Sequence, residues 1–244
     1  MIINTFRSTL KLILISIAAS LLVATHSWAA NNQSDTYQIE MIVFSAINND
    51  TLSSEHWPVI TPSDFQLADI QSPNYLNYLQ RIHFTPATKQ QQLLSKEQSK
   101  LSSNRNFHVI AQLAWQEIVP SSQQSQPIRI YGGNAYGTDG NLLATQPNPT
   151  VALNTYPQWQ LNGEVTISLN RYFDTRFNLV FAEPTNALPS SFSERSAAAN
   201  TPVSYFHLLQ TRRTKSDELN YIDNPLYRVL FIIKKISAHS NNKS

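Results

Sequence analysis

Cysteine is absent from the 244-residue sequence, glycine occurs only 5 times, and only 14% of the residues are charged. Without thiolates the chain cannot form disulfides, bind zinc or iron–sulfur clusters through cysteine, or use a cysteine nucleophile. The scarcity of glycine leaves little material for the glycine-rich loops that hold phosphate groups. Soluble domains typically have about a quarter of their residues charged, so Asn, Gln and Ser must supply most of the polar groups here.

The formal charge of +2 originates at the N-terminus. Arg7 and Lys11 are the only charged residues before residue 30, and without them the 18 basic residues fall to the number of acidic ones, 16. A protein that binds nucleic acid by neutralising phosphates needs a clustered basic surface, which a neutral body does not favour. We therefore expect no nucleic-acid partner.

The N-terminus has the three parts of a secretory signal peptide. The two basic residues precede a largely apolar run of 12 residues, Leu12–Val23, and Ser27-Trp28-Ala29 supplies the small residues of a cleavage site after Ala29. The apolar run is shorter than the roughly 20 residues that a membrane-spanning helix needs. We therefore predict that residues 1–29 are a signal peptide and that residues 30–244 form a single exported domain without a membrane anchor.

The rest of the sequence predicts an α+β fold, with a largely antiparallel β-sheet and helices inserted after its first strand. Helical spacing predicts a short helix over 75–83, and Pro86 favours a second helix over 87–104. The polar loop 120–127 would join its two neighbouring strands as a hairpin, and 183–202 and 237–244 are expected to be mobile. Alternating apolar residues predict strands at 37–44, 107–118, 128–131, 159–169, 176–182, 203–213 and 226–236.

Candidate catalytic groups are few. The 6 histidines are scattered without the spacing of a zinc site, and no nucleophile motif falls in a predicted folded segment. Glu164 and Asp174 lie on or near a predicted hairpin and are the one carboxylate pair that would suit a glycoside hydrolase. However, alternation with Val165 and Ile167 places Glu164 on the solvent-facing side of its strand. We expect no catalytic residues, no metal and no cofactor.

The densest group of polar residues lies in the segment 212–225, between the last two predicted strands. It fits either a solvated hairpin with cross-strand ion pairs or a docking surface, because charge density alone does not separate the two. In the second interpretation, Arg212 and Arg213 present guanidinium groups to carboxylates, and Tyr221 stacks on a sugar or peptide.

The tryptophans divide in a similar way. Trp115 and Trp159 occupy apolar faces of predicted strands, so we expect both in the core. Trp57 lies in a predicted loop, where ligand contacts are more common.

Several of these segments together resemble the CsiV family of periplasmic peptidoglycan-binding proteins. The segment at 206–226 is the most specific, with paired Arg, Glu-Leu, Tyr and an Asp-x-Pro pattern in which Asn224 replaces the family's His, so any role of that His is absent or altered. The similar segments span nearly all of the chain after the signal peptide: YQIEMIVF at 37–44 and the following Trp57-Pro58, FHVIAQLAWQ at 107–116, RIYGG at 129–133, LNGEVTISLNRYF at 161–173, FNLVF at 177–181 and FHLLQTRRTKSDELNYIDNPL at 206–226.

The resemblance implies a non-enzymatic periplasmic protein that binds peptidoglycan and supports cell-wall assembly by assisting an outer-membrane lipoprotein activator of a peptidoglycan synthase. Two alternatives stay open: a protein–protein adaptor that does not contact the wall directly and, less favoured, a cell-wall glycoside hydrolase. Position within the resembling segments gives the ligand-binding candidates, which are Arg212, Arg213, Glu218, Tyr221 and Asp223, with Trp57 as a weaker addition.

Overall fold

The computed structural model describes residues 35–46, 67, 70–137, 139–143, 158–188, 201–224 and 226–236, which all belong to one compact unit. Antiparallel strands dominate these residues, as the sequence predicts. The elements are β1 (Thr36–Ala46), α1 (Pro73–Arg81), β2 (Thr85–Pro86), a 3₁₀ turn (Lys89–Gln91), α2 (Ser95–Ser103), β3 (Phe107–Ile118), β4 (Ile128–Tyr136), β5 (Gln158–Leu169), β6 (Phe173–Pro184), a second 3₁₀ turn (Thr185–Ala187), β7 (Val203–Thr214), β8 (Asn220–Ile222) and β9 (Tyr227–Ile236).

The strands form two sheets rather than the single sheet expected. Sheet A has the strand order β2-β3-β1-β9-β8, and sheet B has the order β4-β5-β6-β7. All neighbouring strands are antiparallel. Sheet B is a meander in which each strand pairs with the next one along the chain, whereas β1 lies at the centre of sheet A between two strands from distant parts of the sequence.

The main hydrophobic core lies between the two sheets. Phe177 of β6 meets Phe231 of β9 with ring centroids 5.0 Å apart, and Phe181 stacks on Tyr227 at 4.9 Å. All four side chains are at most 1% exposed. Burying an aromatic or aliphatic side chain of this size contributes roughly 1.5–3 kcal/mol, so these contacts hold the sheets together. The buried Tyr227 hydroxyl also donates a 3.3 Å hydrogen bond to the Leu179 carbonyl across the core.

The outer face of sheet A is covered by the chain before α2. Ile42, Phe44 and Leu94 form a second buried cluster there, because β1 has apolar residues on both faces. Glu40 lies on the same outer face and is fully buried. Its carboxylate accepts hydrogen bonds from the Leu93 backbone N–H and, at 2.8 Å, from Gln112 Nε2. The Glu40 carboxylate therefore links the segment before α2 to the central strand of sheet A by hydrogen bonds.

Helix α1 packs where β3 and β4 approach each other. It begins with Pro73, whose fixed φ suits a first helical position. Tyr78 joins the main core, and the Tyr75 hydroxyl accepts a 3.0 Å hydrogen bond from the Arg129 backbone N–H on β4. The helix thereby links the edge strand of sheet B to the core.

Two predictions about this part of the chain are wrong. The second helix begins at Ser95 rather than 87, because Pro86 belongs to β2 and pairs with Trp115 of β3. The loop 120–127 is not a hairpin, because β3 lies in sheet A and β4 in sheet B. The loop instead carries the chain from one sheet to the other.

Other predicted elements begin or end a few residues from their predicted positions, and some predicted segments lie outside the described residues. The predicted strand 128–131 continues to Tyr136 through an irregularity between Gly132 and Ala135. The segment predicted as mobile, 183–202, begins with the last residues of β6 and a 3₁₀ turn, and residues 189–200 lie outside the described part, as do 1–29, Trp57 and 237–244. No helix among the described residues is long and apolar enough to span a membrane.

Candidate ligand-binding site

The two arginines of the predicted site lie at the end of β7, on opposite faces of sheet B. Consecutive side chains of a strand alternate between faces. Arg213 stands opposite Asp174 on the outer face, whereas Arg212 stands opposite Thr175, which is 1% exposed and faces the core. Both arginines are exposed. The two guanidinium groups therefore do not form one binding site, because each lies on a different face of the sheet with different neighbours.

Arg213 forms a surface ion pair. Its Nε donates to Asp174 Oδ1 at 2.9 Å, and this hydrogen bond raises the pKa of Arg213. The arginine side chain is 69% exposed, so solvent screens the pair and the guanidinium group still faces water. An anionic ligand could therefore approach Arg213 without first unfolding any part of the sheet.

Glu218 lies in the turn that follows β7, and it stabilises that turn. Its Oε2 accepts a 3.2 Å hydrogen bond from the Lys215 backbone N–H. Asp217 has a φ of 64°, in the left-handed region, and its N–H donates to the Ile233 carbonyl at 2.8 Å. The turn is thus attached to β9, and the segment 212–225 crosses from sheet B to sheet A instead of forming one hairpin.

Tyr221 and Asp223 form a small polar group at the edge of sheet A. The Tyr221 hydroxyl donates to Asp223 Oδ1 at 2.9 Å, and Arg228 Nε donates to the same oxygen at 2.8 Å. The hydrogen bond from Arg228 lowers the pKa of Asp223, so the carboxylate remains ionised. Tyr221 is 43% exposed and stands opposite Leu230. The predicted candidates thus divide between two sheets, and Trp57 lies outside the described residues.

The carboxylate pair considered for a hydrolase is not assembled. Asp174 stands opposite Ser168, four residues along β5 from Glu164. That offset corresponds to about 13 Å along the strand, beyond the roughly 5–10 Å that glycosidases use. Glu164 is also only 8% exposed, so it lies on the predicted face but is buried rather than solvated. No group of three potential metal ligands occurs among the described residues.

The outer face of sheet B also carries an aromatic pair that the sequence did not predict. Trp115 is in the core, as expected, but Trp159 packs against Tyr131 with ring centroids 5.3 Å apart. Tyr131 alternates with the buried Ile130 and therefore faces outward. The adjacent glycines 132 and 133 were the one sequence signal for this arrangement, because glycine within a strand often marks a bulge.

These features define a class: a two-sheet antiparallel β protein with polar and aromatic side chains on the surfaces of its sheets. The chain matches the family model of CsiV, described as a peptidoglycan-binding protein, over residues 12–236. It therefore belongs to the CsiV family, and the resemblance drawn from the sequence is confirmed. No curated protein and no solved structure shows significant similarity to the chain.

Proposed function

We propose that this protein is a non-enzymatic periplasmic protein that binds peptidoglycan directly and supports cell-wall assembly. The observation that carries this proposal is the family match, which spans residues 12–236 and includes every candidate ligand-binding residue. Export by a cleaved signal peptide at residues 1–29 would bring the domain to the compartment that holds the wall.

The proposal extends to an accessory role. The resemblance to CsiV proteins suggests that the protein assists an outer-membrane lipoprotein activator of a peptidoglycan synthase. In this role the domain would contact both the wall and the activator, so wall binding and activator binding would be separate properties of one molecule.

The charged candidates have the chemistry to bind the peptide part of the wall, whose free carboxylates are anionic. Arg212 and Arg213 are both exposed, and guanidinium groups bind carboxylates in a planar geometry. Tyr221 offers an exposed ring face, while Glu218 and Asp223 hold the surrounding turn and strand through the hydrogen bonds described above. Trp57 remains a candidate from its sequence position alone.

Co-sedimentation with purified sacculi tests the proposal. We expect residues 30–244 to pellet with sacculi, and Arg212→Ala combined with Arg213→Ala to weaken pelleting. Lys96→Ala with Lys100→Ala is the matched control, because it removes the same charge from exposed positions on α2. Absence of pelleting above an unrelated control protein would refute direct wall binding. If the protein then still captured the activator, the adaptor alternative would replace the proposal.

The same experiment tests for hydrolysis. The supernatant of the sacculus incubation should contain no released muropeptides, because Glu164 and Asp174 are too far apart for a glycosidase pair. Released fragments that disappear with Glu164→Gln would contradict the non-enzymatic assignment.

A further inference from the structure

Trp159 lies on the outer face of sheet B beside a strand irregularity in β4. The register between β4 and β5 shifts between Gly132 and Ala135. Gly133 has a φ of 78°, and a Cβ atom there would lie 2.7 Å from Ile110 Cγ2, so only glycine fits this position. Gln160 turns toward the same inner site, where its side chain bonds Glu183 at 2.7 Å and the Asn134 N–H at 3.2 Å. Trp159 packs on the outward-facing Tyr131, with ring centroids 5.3 Å apart, and therefore lies on the outer face.

The groups beside this aromatic pair are mostly amides and an imidazole, and Arg129 and Glu164, which stand opposite each other, are the charged residues there. Asn178 Oδ1 and His207 Nε2 are hydrogen-bonded at 2.6 Å, and burial lowers the pKa of His207, so the imidazole is neutral at pH 7. Arg129 is a nearby cation, and its Nη1 donates to the carbonyls of Gly163 at 2.8 Å and Ile130 at 2.9 Å. The Arg129 Nη2 donates to Asn162 Oδ1. The guanidinium charge is thus directed into the sheet.

An exposed leucine adds an apolar surface to this region. Leu209 on β7 is 56% exposed and stands opposite Asn178. We call Tyr131, Trp159, Asn162, Asn178, His207 and Leu209 the aromatic patch. It combines flat apolar surfaces with amide and imidazole groups, which is the composition that suits an uncharged sugar with apolar ring faces and amide substituents.

The charged end of the same face has a different composition. Arg213, Asp174 and the exposed Arg176 lie toward the opposite end of sheet B from Trp159. Ser168, which stands opposite Asp174, is nine positions along β5 from Trp159, or about 30 Å, so the face is long enough for an extended polymer. A neutral end and a cationic end match a ligand that has both uncharged sugars and anionic peptides.

Building on the proposed function, the geometry points to the aromatic patch as the subsite for the glycan strand of peptidoglycan, with the amino sugars stacked on Trp159 and Tyr131. The charged end of the face then takes the peptide carboxylates. Asn162, Asn178 and His207 supply hydrogen bonds to the acetamido and hydroxyl groups of the sugars. The patch thus recognises the polymer backbone that is common to all sacculi, and the arginines recognise its substituents.

Glycan strands freed of peptides by an amidase are the probe that separates the two ends of the face. We expect residues 30–244 to bind these strands, and Trp159→Ala to raise the apparent Kd measured by calorimetry about tenfold, the size typical of an aromatic anchor. Trp159→Phe should retain most of the binding, because the ring remains. Arg212→Ala with Arg213→Ala should weaken binding to intact sacculi and leave binding to the stripped strands unchanged.

Two further variants test the aromatic patch independently of the folding of Trp159→Ala. Asn178→Ala changes the patch without touching the core, so it applies even if Trp159→Ala fails to fold, and it should also weaken strand binding. Leu76→Ala, an exposed residue of α1, is the control that should bind normally. If the wild type binds sacculi but the Trp159 and Asn178 variants bind stripped strands equally well, the patch assignment is wrong and the proposed function stands. If the wild type binds no sacculi, the proposed function itself fails.

Discussion

The charged residues of this protein occupy two contrasting regions. In the interior, Glu40 and Glu117 are at most 1% exposed, one beneath the segment leading into α2 and the other on the inner face of β3. At the surface, Arg213 pairs with Asp174 and Arg228 with Asp223 in partly solvated ion pairs. We infer that the buried carboxyl groups affect the stability of the fold, whereas the exposed charged groups contribute little to stability and remain accessible to a ligand.

The strongest test of the interior region is Glu40→Ala. It leaves the Leu93 N–H and the Gln112 amide buried without an acceptor, and we expect a loss of about 4 kcal/mol in the free energy of unfolding. Urea denaturation followed by circular dichroism measures this loss. Glu97→Ala on α2 is the control and should change stability by less than about 0.5 kcal/mol. If Glu40→Ala and Glu97→Ala lowered the free energy of unfolding equally, buried and exposed charged groups would not differ in their contribution to stability.

The second test uses the pH dependence of stability. Burial raises the pKa of Glu117 to about 8 from its ordinary value of 4.5, and the nearby Trp115 indole offsets only part of this effect. Between these values the unfolded chain loses the proton while the folded protein keeps it. Stability should therefore fall as pH rises from about 4.5 to 8, by on the order of 4 kcal/mol.

Glu117→Gln isolates this contribution. The amide has nearly the same shape and does not titrate, so the decline with pH should be much smaller in the variant than in the wild type. Denaturation midpoints at pH 5 and pH 8 provide the measurement. Parallel pH profiles for the two proteins would show that the carboxyl is not buried in its protonated form.

At the surface, the two arginines should differ in binding. Arg213 lies on the outer face of sheet B together with the aromatic patch, whereas Arg212 points to the other face. We expect Arg213→Ala to reduce the affinity for intact sacculi about threefold and Arg212→Ala to have a smaller effect, since a peripheral charge contributes modestly. A larger loss from Arg212→Ala would place the ligand on a different surface.

The smallest expected effect is that of Asp223→Asn. The Asp223 side chain is 65% exposed, so its bonds to Arg228 and Tyr221 are screened by water. We expect a change of about 0.5 kcal/mol or less in the free energy of unfolding. A loss comparable to that of Glu40→Ala would mean that the exposed ion pairs also hold the fold.

The strands could be predicted from the sequence because alternation directly encodes a buried face and an outer face. β1, β5 and β9 lie within a few residues of their predicted positions. The pairing could not be predicted, since the residues of β3 and β4 do not show that the loop 120–127 crosses between sheets. Long-range contacts also set the start of α2: Pro86 pairs in β2, and Glu40 fixes the chain just before the helix.

For the candidate site, the sequence predicted which polar residues are present but not which face of the sheet each side chain lies on. Arg212 and Arg213 are adjacent in the chain, and the strand alternation that separates them depends on β7 extending to Thr214. Unbroken period-two alternation through β5 predicts that Trp159 lies in the core on the same face as Leu161. The contact of Trp159 with Tyr131 places it on the outer face instead, next to the extra residue that β4 carries between Gly132 and Ala135.

The indole N–H resonances of the tryptophans would show directly whether the aromatic patch binds the glycan strand. Residues 30–244 contain Trp57, Trp115 and Trp159, whose signals in a two-dimensional NMR spectrum can be assigned with single Trp→Phe variants. On titration with glycan strands freed of peptides, we expect the Trp159 signal to shift progressively while the signal of the buried Trp115 stays in place. Binding that shifts only the Trp57 signal, with Trp159 unchanged, would contradict it.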